Sequence, residues 1–137
     1  IYKKIILKGS QKVFFTSDLH FSHKNLCKGT TEWDLNDHGG HLSVRDFKNP
    51  DEMNTHIIDN INKMVGENDY LVSLGDWSFK SIDEIYNNRK RINSKHIIHI
   101  LGNHAKKLQQ TENSPIGQMS PIEENMRNSV LSRCTSI

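Results

Sequence analysis

The stretch Asp69-Tyr70-Leu71-Val72-Ser73-Leu74-Gly75-Asp76 decides the fold, because it is an apolar run that ends directly in a turn carrying a carboxylate. Similar apolar runs occupy residues 12–17 and 96–101. Short apolar runs bounded by turn residues are typical of buried strands. We therefore predict core strands at residues 12–17, 69–74 and 96–101, and an additional short strand at residues 3–8.

Residues 50–65, between the first two core strands, predict a helix. Asn49 is a suitable N-cap, Pro50 suits the first helical position, and Glu52 completes a capping box. Gly66 is expected to end the helix. The apolar side of this helix is predicted to consist of Met53, Ile57, Ile61, Met64 and Val65.

A second helix is predicted at residues 82–92, between the second and third core strands. Ser81 and Glu84 match another capping box. The segment 24–48 is mostly polar and contains three glycines, so we expect a surface loop with one short helix there. The inner side of the second helix is expected to comprise Ile82, Ile85, Tyr86 and Ile92.

The alternation of strands and helices predicts an α/β fold, in which a largely parallel β-sheet is layered with helices. Right-handed connections place the carboxyl ends of parallel strands at one edge of the sheet, where α/β proteins carry their sites. We expect one domain, with residues 1–104 as the α/β core. Residues 105–137 are rich in Asn, Gln, Ser and Glu, and we expect them to form a polar C-terminal tail.

The composition argues against several classes of protein. The chain of 137 residues has 18 Lys and Arg against 16 Asp and Glu, so a bulk basic field for nucleic acid is not indicated. The cluster Arg89-Lys90-Arg91 leaves nucleic acid as a weak candidate partner, although a solvated helix end explains it better. No apolar run approaches the ~18–20 residues of a membrane span. Cys27 and Cys134 form no C-x-x-C pair, which favours a reducing, cytoplasmic location.

Side chains of the kinds that bind metals follow the end of each core strand. The three motifs are Asp18-Leu19-His20, Gly75-Asp76 and Gly102-Asn103-His104. Each motif by itself is typical of an ordinary turn. Because parallel strands bring the three turns together, the combination favours a shared metal site. Asp18 and His20 are two residues apart, so on an extended segment their side chains would point the same way.

These motifs, in this order, resemble the calcineurin-like metallophosphoesterases, whose pattern is D-x-H, G-D, G-N-H-[DE] and two later histidine motifs. Residues 15–25 and 74–79 are similar to a small phage and bacterial branch of that family. So is Arg45-Asp46-Phe47 followed by Glu52-Met53-Asn54. The resemblance covers about residues 12–104. It implies that the α/β core is about the N-terminal half of the family's β-sandwich.

The resemblance also implies a metal-dependent phosphoesterase, which hydrolyses phosphomonoesters or phosphodiesters with a metal-activated water. It implies two divalent metal ions, and mixed oxygen and nitrogen ligands suit Mn, Fe, Zn, Co or Ni better than Ca. His23 and Arg45 could contact the phosphate of the phosphoester substrate, although ordinary solvated loop residues are the alternative. His104 is the implied catalytic residue, which stabilises phosphoryl oxygens or protonates the leaving group. The implied metal ligands are Asp18, His20, Asp76 and Asn103, with Asp76 bridging the two ions.

Two features depart from the family pattern. Ala105 stands where the family has an acidic residue that orients the neighbouring histidine, and no histidine follows His104. The alternative function is therefore a catalytically impaired fragment or remnant that acts as a non-catalytic binding module. A piece of a longer protein, a truncated gene product, and ligands supplied by another subunit remain open as explanations. We expect this chain by itself to bind metal weakly and to hydrolyse phosphoesters poorly or not at all.

A few further side chains have structural interpretations. Trp77 either walls the site, stacks on a base, or packs in the core. Cys27 is expected to be a passive thiol, since no reason for a low pKa is visible. His96 and His99 lie on opposite faces of a strand and are expected to be structural.

Overall fold

The computed structural model describes residues 4–36, 44–78 and 80–100, except for the side chain of Ile82. Within these residues the chain forms a small mixed α/β unit with a three-stranded sheet and two α-helices. The predicted tail at residues 105–137, and the part of the third strand at Leu101, lie outside the described residues. The elements in chain order are β1 (Val13–Thr16), a single-turn 3-10 helix (Lys24–Leu26), α1 (Pro50–Met64), β2 (Tyr70–Ser73), α2 (Ile82–Lys90) and β3 (His96–His99).

The sheet is parallel and has the strand order β1-β2-β3. Thr16 of β1 pairs with Ser73 of β2, and Ser73 pairs with His99 of β3, so the carboxyl ends of all three strands reach the same edge. This confirms the predicted parallel α/β architecture and places the turns after β1 and β2 side by side.

Both helices pack on one face of the sheet. Phe14, Leu71 and Ile97 are register partners, so their side chains share that face. They pack in one core cluster with Ile58 of α1 and Ile85 of α2. The neighbouring residue Phe15 points to the opposite face and is 68% exposed. Its register partners on that face, Val72 and Ile98, are nevertheless buried, so the central part of the sheet is covered on both faces.

Helix α1 begins as predicted but buries a slightly different side. The Asn49 side chain accepts a hydrogen bond from the Glu52 backbone N–H at 2.9 Å, as predicted, but the Glu52 carboxylate accepts from the Lys48 N–H at 2.7 Å and not from that of Asn49 as in a capping box. The prediction that Met64 lies on the inner side is wrong, since Met64 is 67% exposed and Ile58 is buried instead. Met64 follows Ile58 by six positions, which at about 3.6 residues per turn points the two side chains well apart.

Helix α2 and the N-terminal segment depart from two local predictions. Ser81 makes no capping hydrogen bond through its side chain, and the Glu84 carboxylate lies instead beside Lys80 at 4.0 Å. The strand predicted at residues 3–8 is absent over the described residues 4–8. Ile6 and Leu7 are exposed there, so no burial favours pairing of this segment with the sheet. None of the helices in the described ranges is long and apolar enough to cross a membrane.

Gly29 is required where two loop segments cross. Its N–H donates to the Phe47 carbonyl at 3.0 Å, and an added Cβ would overlap the Lys48 main chain. We expect Gly29→Ala to lower the free energy of unfolding by about 2 kcal/mol, because backbone has to move to admit the methyl group. Urea denaturation measures this. Gly66→Ala is the matched control, since there the new methyl meets the Asp69 side chain and no main chain, so we expect a smaller loss; an equal loss in both variants would contradict the prediction.

Candidate metal site

The segment after β1 has an unusual backbone. Asp18, His20 and Ser22 have φ angles of 55°, 52° and 63°, so every second residue is left-handed. Non-glycine residues rarely adopt this conformation, and Asp and His are among the residues that tolerate it best. The expectation that Asp18 and His20 lie on an extended segment is therefore wrong. Their side chains nevertheless meet, with Asp18 Oδ1 3.6 Å from His20 Nε2.

The turn after β2 is left-handed as well. Gly75 has a φ of 133° and Asp76 a φ of 46°. The carbonyl of Gly75 accepts a hydrogen bond from the Asp18 N–H at 3.3 Å, and the carbonyl of Asp76 accepts from the His20 N–H at 2.9 Å. The two turns are thus bonded to each other through their main chains beyond the ends of the strands.

This backbone arrangement brings together three ligand-type side chains. Each of Asp18, His20 and Asp76 offers one atom, and these atoms all lie within 4.8 Å of one another. The His20 side chain is only 18% exposed, whereas the Asp18 side chain is 65% exposed and open to solvent. Two carboxylate oxygens and one imidazole nitrogen form a donor set that suits a first-row divalent ion, so the group could hold a metal.

Hydrogen bonds from Arg45 anchor the segment that carries Asp18 and His20. Its guanidinium donates to the carbonyl oxygens of Asp18 and Leu19, each at 2.8 Å, and Nη1 lies 3.6 Å from Met53 Sδ. The Arg45 main chain is anchored separately, since its N–H donates to Leu26 at 2.7 Å. The fork of the guanidinium thus closes on two successive carbonyls. Its predicted contact with substrate remains a prediction.

Asn54 of α1, which the sequence analysis missed, anchors the same segment at Ser22. Its side-chain oxygen accepts from the Ser22 N–H at 2.8 Å, and its amide donates to the Ser22 hydroxyl at 2.9 Å. Both residues are buried. The available signal was a polar residue beside Met53 on the inner side of an amphipathic helix, where an amide needs a buried partner.

Rings adjoin the metal-binding group on the side of His20. The His20 and His23 ring centroids are 6.0 Å apart, and the His23 and Trp33 centroids are 5.8 Å apart. Trp33 is 38% exposed, so the row of rings runs from the site towards solvent. The structure thus places His23 beside the candidate ligands, and its contact with substrate remains a prediction.

Trp77, directly after Asp76, packs in the core. It is 5% exposed, and its ring meets Phe21 and His99 edge-on at centroid distances of 5.1 and 4.3 Å. His99 is itself buried, and neither of its ring nitrogens has a hydrogen-bond partner within the part of the chain that the structure describes. Burial, and secondarily the Arg89 guanidinium, lower the pKa of His99 to about 4.

His96 and Cys27 agree with their structural interpretations. The His96 ring stacks on Tyr70, with centroids 4.6 Å apart and an interplanar angle of 16°. Cys27 is fully buried, and this burial raises the pKa of its thiol. A raised pKa keeps the thiol protonated and unreactive.

The structure therefore unites part of the predicted site. Asp18, His20 and Asp76 converge, and His23 and Arg45 lie beside them. Asn103 and His104 lie outside the described residues. A comparison of the chain with protein-family models, curated proteins and solved structures finds no significant match to any of them.

Proposed function

We propose that this chain carries the site of a metal-dependent phosphoesterase, with a sheet that corresponds to the N-terminal half of a metallophosphoesterase β-sandwich. The observation that supports it best is the convergence of Asp18, His20 and Asp76 within 4.8 Å. They converge at the carboxyl edge of a parallel sheet, where α/β proteins bind their ligands.

The strained backbone also supports this proposal. All the non-glycine residues with positive φ in the described ranges lie in the two turns of the site: Asp18, His20, Ser22 and Asp76. Such conformations cost of order 1 kcal/mol each and persist where the surrounding structure enforces them, which is common at functional sites. Here the Arg45 guanidinium and the Asn54 amide hold the segment that carries Asp18, His20 and Ser22, and the Asp76 carbonyl is bonded to the same segment.

Each side chain has a defined task in the proposed site. Asp18 and Asp76 supply negative charge and oxygen donors, and His20 supplies a neutral nitrogen donor. We propose that Asp76 and Asn103 extend the site to a second ion and that His104 faces the leaving group. A bound divalent ion would supply a Lewis acid that lowers the pKa of water and stabilises charge on the phosphoryl oxygens.

Binding of Mn²⁺ tests the ligand set directly. We expect Asp76→Asn to weaken Mn²⁺ binding at least about tenfold, because it removes a charged donor. Asn tolerates the left-handed backbone at this position, so the exchange adds little strain. Electron paramagnetic resonance of free Mn²⁺ measures the affinity. Asp59→Asn, on the exposed side of α1, is the matched control. Equal affinity in all three proteins would refute the proposed ligand role of Asp76.

Turnover separates the leading function from its alternative. We propose to measure Mn²⁺-dependent hydrolysis of an aryl phosphodiester by the wild-type chain and by Asp76→Asn. Turnover that is lost in the variant would support the phosphoesterase. Mn²⁺ binding that depends on Asp76 without any turnover would instead support a non-catalytic binding module.

A further inference from the structure

Trp33 presents a partly exposed ring close to the candidate metal site. The chain has two tryptophans. Trp77 is 5% exposed and packs among core rings, whereas Trp33 is 38% exposed and contacts His23. His23 in turn contacts His20, one of the candidate ligands. The exposed indole is thus two ring contacts away from the metal-binding group.

The loop that carries Trp33 is held in place on the N-terminal side of the ring. Lys24 Nζ pairs with the Glu32 carboxylate at 2.6 Å, and the Glu32 N–H donates to the Asn25 side chain at 3.0 Å. The Trp33 N–H donates to Thr31 Oγ1 at 3.2 Å. An aromatic ring on a fastened loop loses little conformational freedom when it binds a ligand, which favours affinity.

Hydrogen bonds from the Thr30 hydroxyl and from main-chain N–H groups also hold this loop in place. Thr30 Oγ1 donates to the Lys24 carbonyl at 2.8 Å. The N–H groups of Thr30 and Thr31 both donate to the Cys27 carbonyl, at 3.0 and 2.9 Å. Because Cys27 is fully buried, the loop is tied to the interior of the protein. The indole is therefore positioned by the fold.

We propose that Trp33 stacks on the base of a nucleoside phosphate whose phosphate group would bind a divalent ion held by Asp18, His20 and Asp76. This inference rests on the proposed phosphoesterase function for the position of the phosphate. It adds the substrate class, a phosphoester with an aromatic base, and makes Trp33 a specificity-determining residue. Every base has a π-face, so stacking on an indole selects aromatic substrates without selecting one base. The edge-on and tilted packing of His20, His23 and Trp33 supplies an aromatic boundary on that side of the site.

Affinity for adenosine 5′-monophosphate tests the proposal. We expect Trp33→Ala to weaken its binding in the presence of Mn²⁺ by about tenfold, and Trp33→Phe to weaken it far less, since Phe retains a stacking ring. Binding of inorganic phosphate should stay within about twofold in both variants, because Trp33 does not contact the phosphate. Isothermal titration calorimetry measures the affinity of the wild type and of both variants for each ligand. Equal losses for the nucleotide and for phosphate, or no loss for either, would overturn the proposal.

Fluorescence provides a readout that does not depend on the metal. We expect adenosine to quench the wild-type emission in a saturable way, and this component to vanish in Trp33→Phe, which retains only the buried Trp77. Free N-acetyltryptophanamide, with its collisional quenching, is the control. Absence of saturable quenching would overturn the stacking proposal whatever the metal does. Saturable quenching without Mn²⁺ binding would instead refute the proposed phosphoesterase site and leave only a base-binding surface.

Discussion

Replacement of Arg45 by alanine is expected to lower the free energy of unfolding by about 2–3 kcal/mol and to weaken Mn²⁺ binding by about 10- to 100-fold. The guanidinium donates to the Asp18 and Leu19 carbonyls, both at 2.8 Å, and without it these acceptors lose their charged donor. The left-handed residues Asp18 and His20 would then be free to relax, which would separate the candidate ligands. Urea denaturation and Mn²⁺ titration measure the two effects.

Two further variants show whether the fork of Arg45 matters. Arg45→Lys keeps the charge but cannot donate to two carbonyls in the same way, so we expect it to behave nearly like Arg45→Ala. Arg91→Ala removes an exposed arginine that donates to Thr55 Oγ1, and we expect less than about 0.5 kcal/mol of destabilisation there. Full retention of stability and metal affinity in Arg45→Lys would show that charge alone suffices.

A loss of stability in mild acid is the second large effect that we expect, and His99 is its source. Burial lowers the pKa of folded His99 to about 4, with a smaller contribution from Arg89, whereas the ordinary value is 6.5. The folded state therefore binds fewer protons than the unfolded state between these pH values. Stability is unaffected by this group above pH 6.5 and falls by up to about 3 kcal/mol as the pH falls towards 4.

A non-titrating residue at position 99 isolates this effect from other groups. We expect the loss of stability between pH 6.5 and pH 4 to be smaller in His99→Leu than in the wild type, by up to about 3 kcal/mol. His99→Gln gives a second variant that cannot titrate. His56→Gln, on the exposed side of α1, should retain the wild-type pH dependence. Parallel curves for the wild type and both His99 variants would rule out this source.

The order of strands and helices could be predicted because it depends on local patterns. Short apolar runs ending in turn residues identified β1, β2 and β3, and the cap at Asn49 identified the start of α1. Parallel topology then follows from the helical connection between β2 and β3, which is too long for a hairpin. Together these patterns placed Asp18, His20 and Asp76 at one edge of the sheet, where the structure shows them.

The details that hold the site could not be predicted in the same way. Arg45 binds main-chain carbonyls, and the directions of those carbonyls depend on the left-handed angles at Asp18 and His20. No side-chain pattern reports such angles, so the sequence predicted an extended segment there. Met64 was likewise assigned to the wrong side of α1, because a stripe through Ile57 and Met64 also fits a helical period.

At a metal site, a ligand residue usually has to fit the backbone and bind the metal through the same choice of side chain. The left-handed turns separate these two requirements. At Asp18, His20 and Asp76 the backbone disfavours any residue that branches at Cβ, whatever its charge. In a library of random variants, Val, Ile and Thr should therefore disappear from these positions under selection for folding alone. Asn and Gly should pass that selection and be removed only by selection for chemistry. The mutational tolerance of these few positions would thus distinguish residues kept for shape from residues kept for reactivity.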